Sequence, residues 1–140
     1  TTYDQRVPYE MIIGQAVLET GWGKSRFAKK ANNLFGIRTF SSEVPHLLVE
    51  GVEDWPGWGV RKFKTKCSSV REYIRLLNEH SAYSDFRKLR KYMLDRNQNL
   101  DALRLIKTLG KFSETPDYDK RTTRMILKVR EMEKNLLTKE

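Results

Sequence analysis

The chain has 140 residues and a single cysteine, so it can bury a core without staples and cannot form an internal disulfide. At 39% hydrophobic and 32% charged it is too apolar for a disordered segment, and no apolar run approaches the ~20 residues of a membrane span. The net charge of +9 points to polyanionic surroundings: nucleic acid, an anionic membrane or an anionic wall polymer.

The length fits one domain over residues 1–140. The opening Thr1 reads as the start of a mature or excised domain, which leaves room for a targeting segment ahead of it. Residues 1–8 read as an extended lead-in closed by Pro8. A helix is predicted over 9–20, with Ile12, Ala16 and Glu19 at i, i+4 and i+7 and Gln15 beside them. Gly21 is the expected left-handed C-terminal stop, and Ser25 the N-cap of a short helix over 25–31.

Residues 37–66 differ in kind, being rich in proline and glycine. Two β-like runs, His46–Val52 and Val60–Thr65, flank Trp55-Pro56-Gly57-Trp58-Gly59 and predict a β-hairpin with a loose tip. Ser69-Val70-Arg71-Glu72 matches a capping box and predicts a helix starting at Ser69, with Val70, Tyr73, Ile74 and Leu77 as its apolar stripe. Further helices are expected at about 84–95, 99–110 and 117–137, the last opened by Thr115 or Pro116. Arg87-Lys88-Leu89-Arg90-Lys91 reads as a solvated helix face. The sum is an α+β pattern, mostly helical, with a hairpin lobe at about 38–66.

Glu19 is the residue most suited to chemistry. It falls in the last turn of its helix, where the dipole disfavours an anion. Trp22 and Phe35 nearby would desolvate it further, and both effects push a carboxyl toward holding its proton near neutral pH. That environment makes a general acid. On position alone, a surface glutamate paired with a lysine or arginine is the better reading.

The surrounding run shifts the balance toward the acid. Gln15-Ala16-Val17-Leu18-Glu19-Thr20-Gly21-Trp22-Gly23-Lys24-Ser25, followed by Asn32-Asn33-Leu34-Phe35-Gly36-Ile37, resembles the signature of the bacterial β-N-acetylglucosaminidases of glycoside hydrolase family 73. Val60-Arg61-Lys62-Phe63, the stretches Ser69–Ile74 and Leu77–Tyr83, Phe112-Ser113-Glu114 and Tyr118 are similar to the Bax-like branch of that family. The resemblance covers roughly residues 6–136. It implies a lysozyme-like fold and cleavage of the β-1,4 bond after N-acetylglucosamine in peptidoglycan, with Glu19 as general acid. It also implies that Tyr73 lies near the reacting sugar, although Tyr73 belongs equally to the core stripe.

A second carboxylate is expected on the hairpin. Glu53 is favoured by loop spacing from Asn33, with Glu50 as the alternative. Asp54 lies on the same stretch, and Glu43 is too close to the strand start. On a regular strand Glu50 and Glu53 would face opposite ways. A separation from Glu19 of about 5–5.5 Å would suit a nucleophile and ~6.5–9.5 Å an attacking water, while the substrate's N-acetyl group is a third possible nucleophile. A mobile hairpin could also bring its carboxylate in only after substrate binds.

Trp22, Asn33, Phe35, Trp55 and Trp58 are the candidate substrate-binding residues. For Trp22 packing beneath the site is the favoured role, and Asn33 is expected chiefly to hold loop backbone. Exposed tryptophans at the hairpin tip suit the apolar faces of sugar rings. His46 and His80 lack metal-pair spacing, and Cys67 reads as a small buried residue; no metal or cofactor is expected. The expected partner is the peptidoglycan glycan strand, met by a monomer in the periplasm, at the cell surface or after secretion. A nucleic-acid partner is not expected, since only the charge speaks for it. Muramidase, lytic transglycosylase and a non-catalytic wall-binding module are the competing readings.

Overall fold

Six α-helices and three short strands form among residues 5–138, which the computed structural model describes. The chain is mostly helical with a small antiparallel sheet, the α+β class expected. The described residues divide into two compact units, one of residues 5–15 and 74–138 and one of residues 16–73, and the part of the expected lead-in over residues 1–4 lies outside them.

In the first unit, residues 5–8 have no regular structure, and α1 (Tyr9–Thr20) begins directly after Pro8. Only Tyr9–Gln15 of this helix belong to the unit. The unit also holds α4 (Ser84–Asp95), the short α5 (Ala102–Leu105) and α6 (Tyr118–Thr138). Its core is Met11, Leu77, Phe86, Met93, Leu105, Ile106, Leu109 and Ile126, all fully buried. Gly14 lets α1 approach α6: a Cβ there would stand 2.9 Å from Ile126 Cγ1. Arg130 forks onto Glu10, with Nε 2.5 Å and Nη2 3.0 Å from its oxygens.

Several expectations change here. The helix expected at 99–110 is a single α turn capped by the Asp101 carboxylate, followed by a 3-10 turn over Ile106–Thr108. The last helix opens at Tyr118, not at Thr115 or Pro116, because Asp117 takes a left-handed conformation just before it (φ 56°). Arg90 leaves the solvated face proposed for its run. It is buried, and donates to the Arg6 carbonyl (2.8 Å) and to Asn78 Oδ1 (2.7 Å).

The second unit carries the end of α1, α2 (Arg26–Ala31), the sheet and the start of α3 (Lys66–Glu79). Ser25 caps α2 as expected, its hydroxyl accepting from Ala28 N–H. The hairpin is replaced by three strands in the order β1-β3-β2: β1 (Arg38–Thr39), β2 (His46–Leu47) and β3 (Gly59–Arg61). Arg38 and Leu47 both stand opposite Val60, which is buried. The long first run of the expected hairpin fails because Val52 N–H bonds back to Val49 C=O (3.0 Å), with Gly51 at φ 85°. That closes a turn with the geometry of type II, where only a residue such as glycine sits comfortably at the third position.

The capping box is also shifted. α3 starts at Lys66, and Thr65 Oγ1 accepts from Ser68 N–H (3.1 Å). Ser69 is buried inside the helix instead, donating to Lys66 C=O (2.7 Å). Cys67 is exposed, not buried, because the extra turn places it in the first turn of α3.

Candidate active site

Glu19 sits where the sequence puts it, in the last turn of α1, and is half-buried. Three successive left-handed residues follow: Gly21 (φ 55°), Trp22 (φ 63°) and Gly23 (φ 81°). For a tryptophan this is a strained conformation, costing on the order of 1–3 kcal/mol. Thr20 holds it in place. Its hydroxyl donates to Ala16 C=O (2.6 Å) and accepts from Gly23 N–H (2.8 Å), while its own carbonyl accepts from Lys24 and Ser25 N–H. The reversal leaves Trp22 47% exposed, which overturns the expectation that it packs beneath the site.

The second wall of Glu19 is the loop after α2. A Cβ on Gly36 would come within 3.4 Å of Glu19 Oε2, and Gly36 has φ 66°. Asn33 sets this loop. Its amide donates to Ile37 and Arg61 C=O, both at 2.9 Å, and its Oδ1 accepts from Phe35 and Ile37 N–H. Asn33 is 1% exposed, so it acts on the loop backbone from inside. Phe35 is buried as well and stacks on Tyr73, with centroids 4.2 Å apart and planes at 11°. Tyr73 is fully buried. Of its two expected roles, the core role is the one its burial fits.

The acidic candidates of the lobe lie elsewhere in character. Glu43, Glu50, Glu53 and Asp54 are all exposed, on loops and not on strands. Glu50 occupies the corner of the Val49–Val52 turn, so strand alternation does not govern where it and Glu53 point. Among the described residues neither of these two carboxylates makes a hydrogen bond or ion pair.

Trp55 and Trp58 are half-buried, less open than the sequence suggests, because each has a ring partner. Trp55 meets His46 edge-on, with centroids 4.7 Å apart. His46 in turn bonds the Val44 carbonyl (2.8 Å) and covers Gly59, where a Cβ would stand 3.0 Å from its ring. Arg38 lies over the Trp58 ring at 4.0 Å. His80 is used as an N-cap, its Nδ1 accepting from Ala82 N–H (3.0 Å).

Three residues of this site carried no role in the sequence reading: Thr20, Gly36 and Arg38. Thr20 and Gly36 lie inside the recognised motifs, and their signal was their fixed place beside Glu19 and Phe35. Arg38 has no local signal, because its partner Trp58 is twenty positions away in the chain.

Residues 3–131 match a family model for Glucosaminidase, described as mannosyl-glycoprotein endo-beta-N-acetylglucosaminidase. The chain is 33% identical over 109 residues to Protein bax of Escherichia coli K12, covering 76% of this chain and 37% of that protein. It is 30% identical over 114 residues to Exo-glucosaminidase LytG of Bacillus subtilis 168, covering 77% and 39%. Identity to Peptidoglycan hydrolase FlgJ of Salmonella typhimurium LT2 is 22% over 139 residues, covering 90% and 41%. The chain thus spans about two fifths of the length of these relatives. No solved structure gives a significant match.

Proposed function

The chain belongs to the glucosaminidase family, glycoside hydrolase family 73, and from that premise we propose that it is a peptidoglycan hydrolase. In this reading it cuts the β-1,4 bond between N-acetylglucosamine and N-acetylmuramic acid, within the strand and not only at its end. The mostly helical α+β architecture is consistent with the family's lysozyme-like fold, and the span of the family match supports reading residues 1–140 as one glucosaminidase domain.

The observation that carries the proposal is the seating of Glu19. Its carboxyl group stands half-buried at the negative end of α1, against a glycine that leaves the space beside it open. From there it can give a proton to the glycosidic oxygen as the C1–O bond breaks. Glu53, with Glu50 as alternative, supplies the second carboxylate, either taking a proton from the attacking water or meeting C1 directly. Exposed glutamates on a turn-rich loop suit a group that closes on the sugar after binding.

Trp22, Trp55 and Trp58 offer ring faces to the sugars. Asn33 and Phe35 serve from beneath, by fixing the loop that carries Gly36. Tyr73 is a positioning residue: it supports Phe35, and through the Phe35–Gly36 step it sets the wall against which Glu19 lies. No helix among the described residues is long and apolar enough to cross a membrane. The substrate places the enzyme outside the cytoplasm, in the periplasm, at the cell surface or secreted, working as a monomer.

The test is digestion of purified wall. Wild type should release soluble glycan fragments, and Glu19→Gln should release none while keeping its melting temperature. Undiminished release by the variant would remove Glu19 from its role.

A further inference from the structure

We propose that Arg38, lying over Trp58, is an anion subsite that reads a carboxylate carried by the glycan close to the bond being cut. The proposal rests on the reading of the chain as a peptidoglycan hydrolase, and it narrows the substrate to strands that bear carboxylates.

Four arginines lie in the unit that holds Glu19: Arg26, Arg38, Arg61 and Arg71. Three are engaged by the protein. Arg26 donates to Leu48 C=O (3.0 Å), Arg61 pairs with Glu72 (3.8 Å), and Arg71 donates to Ser68 Oγ (3.4 Å). Arg38 is exposed, and among the described residues no carboxylate or carbonyl takes up its guanidinium. Its guanidinium lies over the Trp58 ring, with Cζ 4.0 Å from the centroid, well inside the ~6 Å reach of a cation–π contact.

The sheet register brings the two within reach. Arg38 stands opposite Val60, and Trp58 is the residue just before β3, two positions ahead of Val60. A guanidinium laid on a ring keeps its N–H fork free at its edge. Because the ring limits its rotamers, less freedom is lost when a carboxylate docks. The fork matches a carboxylate with two parallel hydrogen bonds, which a lysine ammonium cannot copy.

Position supplies the rest. Gly36 lies against the Glu19 carboxylate, and Arg38 is only two residues further along the chain. Two residues span at most ~7 Å between Cα atoms, so the subsite opens beside the sugars flanking the reacting bond. Phe40, two residues beyond Arg38, is 75% exposed and adds apolar surface at the same margin. In peptidoglycan the available carboxylates are those of the stem peptide and, where the peptide has been removed, that of the lactyl group. A polymer of N-acetylglucosamine alone carries neither.

The experiment measures binding by the Glu19→Gln protein at fixed salt, so that no ligand is turned over. Three soluble oligosaccharides of equal length are compared: peptide-bearing, peptide-free with lactyl carboxylates, and neutral chitin. At least one anionic ligand should bind ~10-fold or more tightly than chitin, the size expected of a charge-assisted pair. Adding Arg38→Gln should cut that preference to about twofold, and Arg38→Lys should restore it only partly. Loss confined to the peptide-bearing ligand assigns the stem carboxylate, and loss confined to the peptide-free ligand assigns the lactyl group. Equal affinity for anionic and neutral ligands, or a preference untouched by Arg38→Gln, overturns the subsite. Wall digestion by wild type is scored separately, so a failed subsite leaves the hydrolase reading standing and a failed digestion does not.

Discussion

The carboxylate of Glu19 faces the bare backbone of Gly36, where an added methyl group would stand 3.4 Å from Oε2. Gly36 also sits at φ 66°, a conformation that costs an L-residue roughly 1–2 kcal/mol. Gly36→Ala therefore carries two separable effects. Urea unfolding should show a loss of about 1–2 kcal/mol, and activity should fall by more than that loss explains, because the methyl fills the space beside the acid. Wild-type turnover in Gly36→Ala would mean that the space beside Glu19 is not used.

Tyr73 should act through packing. Tyr73→Leu removes the stack on Phe35 and should cost ~2–4 kcal/mol, in the range of large core truncations. Tyr73→Phe keeps the ring and should retain kcat within about threefold, the change expected when no reacting group is lost. A shift of the alkaline limb of the pH–rate profile in Tyr73→Leu, absent in Tyr73→Phe, would mark positioning of Glu19, since a general acid works only while it holds its proton. A collapse of kcat in Tyr73→Phe would give the hydroxyl a direct part in the reaction.

Asn33→Ala removes a buried amide that satisfies the carbonyls of Ile37 and Arg61 and the N–H groups of Phe35 and Ile37. Each buried polar group left unpaired costs ~1–3 kcal/mol, so a loss above ~3 kcal/mol is expected in denaturant titration. Asn33→Asp should fare little better, since a carboxylate cannot donate to the two carbonyls.

The helices were legible because their signals are local. The periodicity over 9–20, Gly21 as stop and Ser25 as cap each need only neighbouring residues, and α1 and α2 appear within a residue of the expected limits. The sheet was not legible, because β1 has two residues and no pattern of its own. It exists through Arg38 and Thr39 meeting Val60 and Gly59 some twenty positions later. The same long-range dependence hid the Arg38–Trp58 pair. Trp22 was misjudged for another reason: its ring is turned outward by a left-handed backbone that Thr20 stabilises, and apolar character alone argued for burial. The acid candidates of the lobe stayed ambiguous because a turn at Val49–Val52 replaces the strand that would have assigned them faces.

Alkaline pH should weaken the first unit. The Tyr9 phenol is held above its ordinary value of 10.0, first by its hydrogen bond to Glu133, and desolvation raises Tyr83 in the same direction. A folded-state value above the unfolded one means that the contribution is complete below pH 10 and is lost as pH rises through the folded value. Melting temperature should therefore drop above about pH 10, and Tyr83→Phe should flatten that drop. An unchanged slope in the variant would show that Tyr83 does not contribute.

The most direct measurement is mass spectrometry of the reduced fragments released from purified peptidoglycan by wild type, Glu19→Gln, Glu50→Gln and Glu53→Gln. The expected result is new reducing ends of N-acetylglucosamine with wild type, none with Glu19→Gln, and strong loss with Glu53→Gln. New ends of N-acetylmuramic acid or its anhydro form, or fragments still released by Glu19→Gln, would contradict the account.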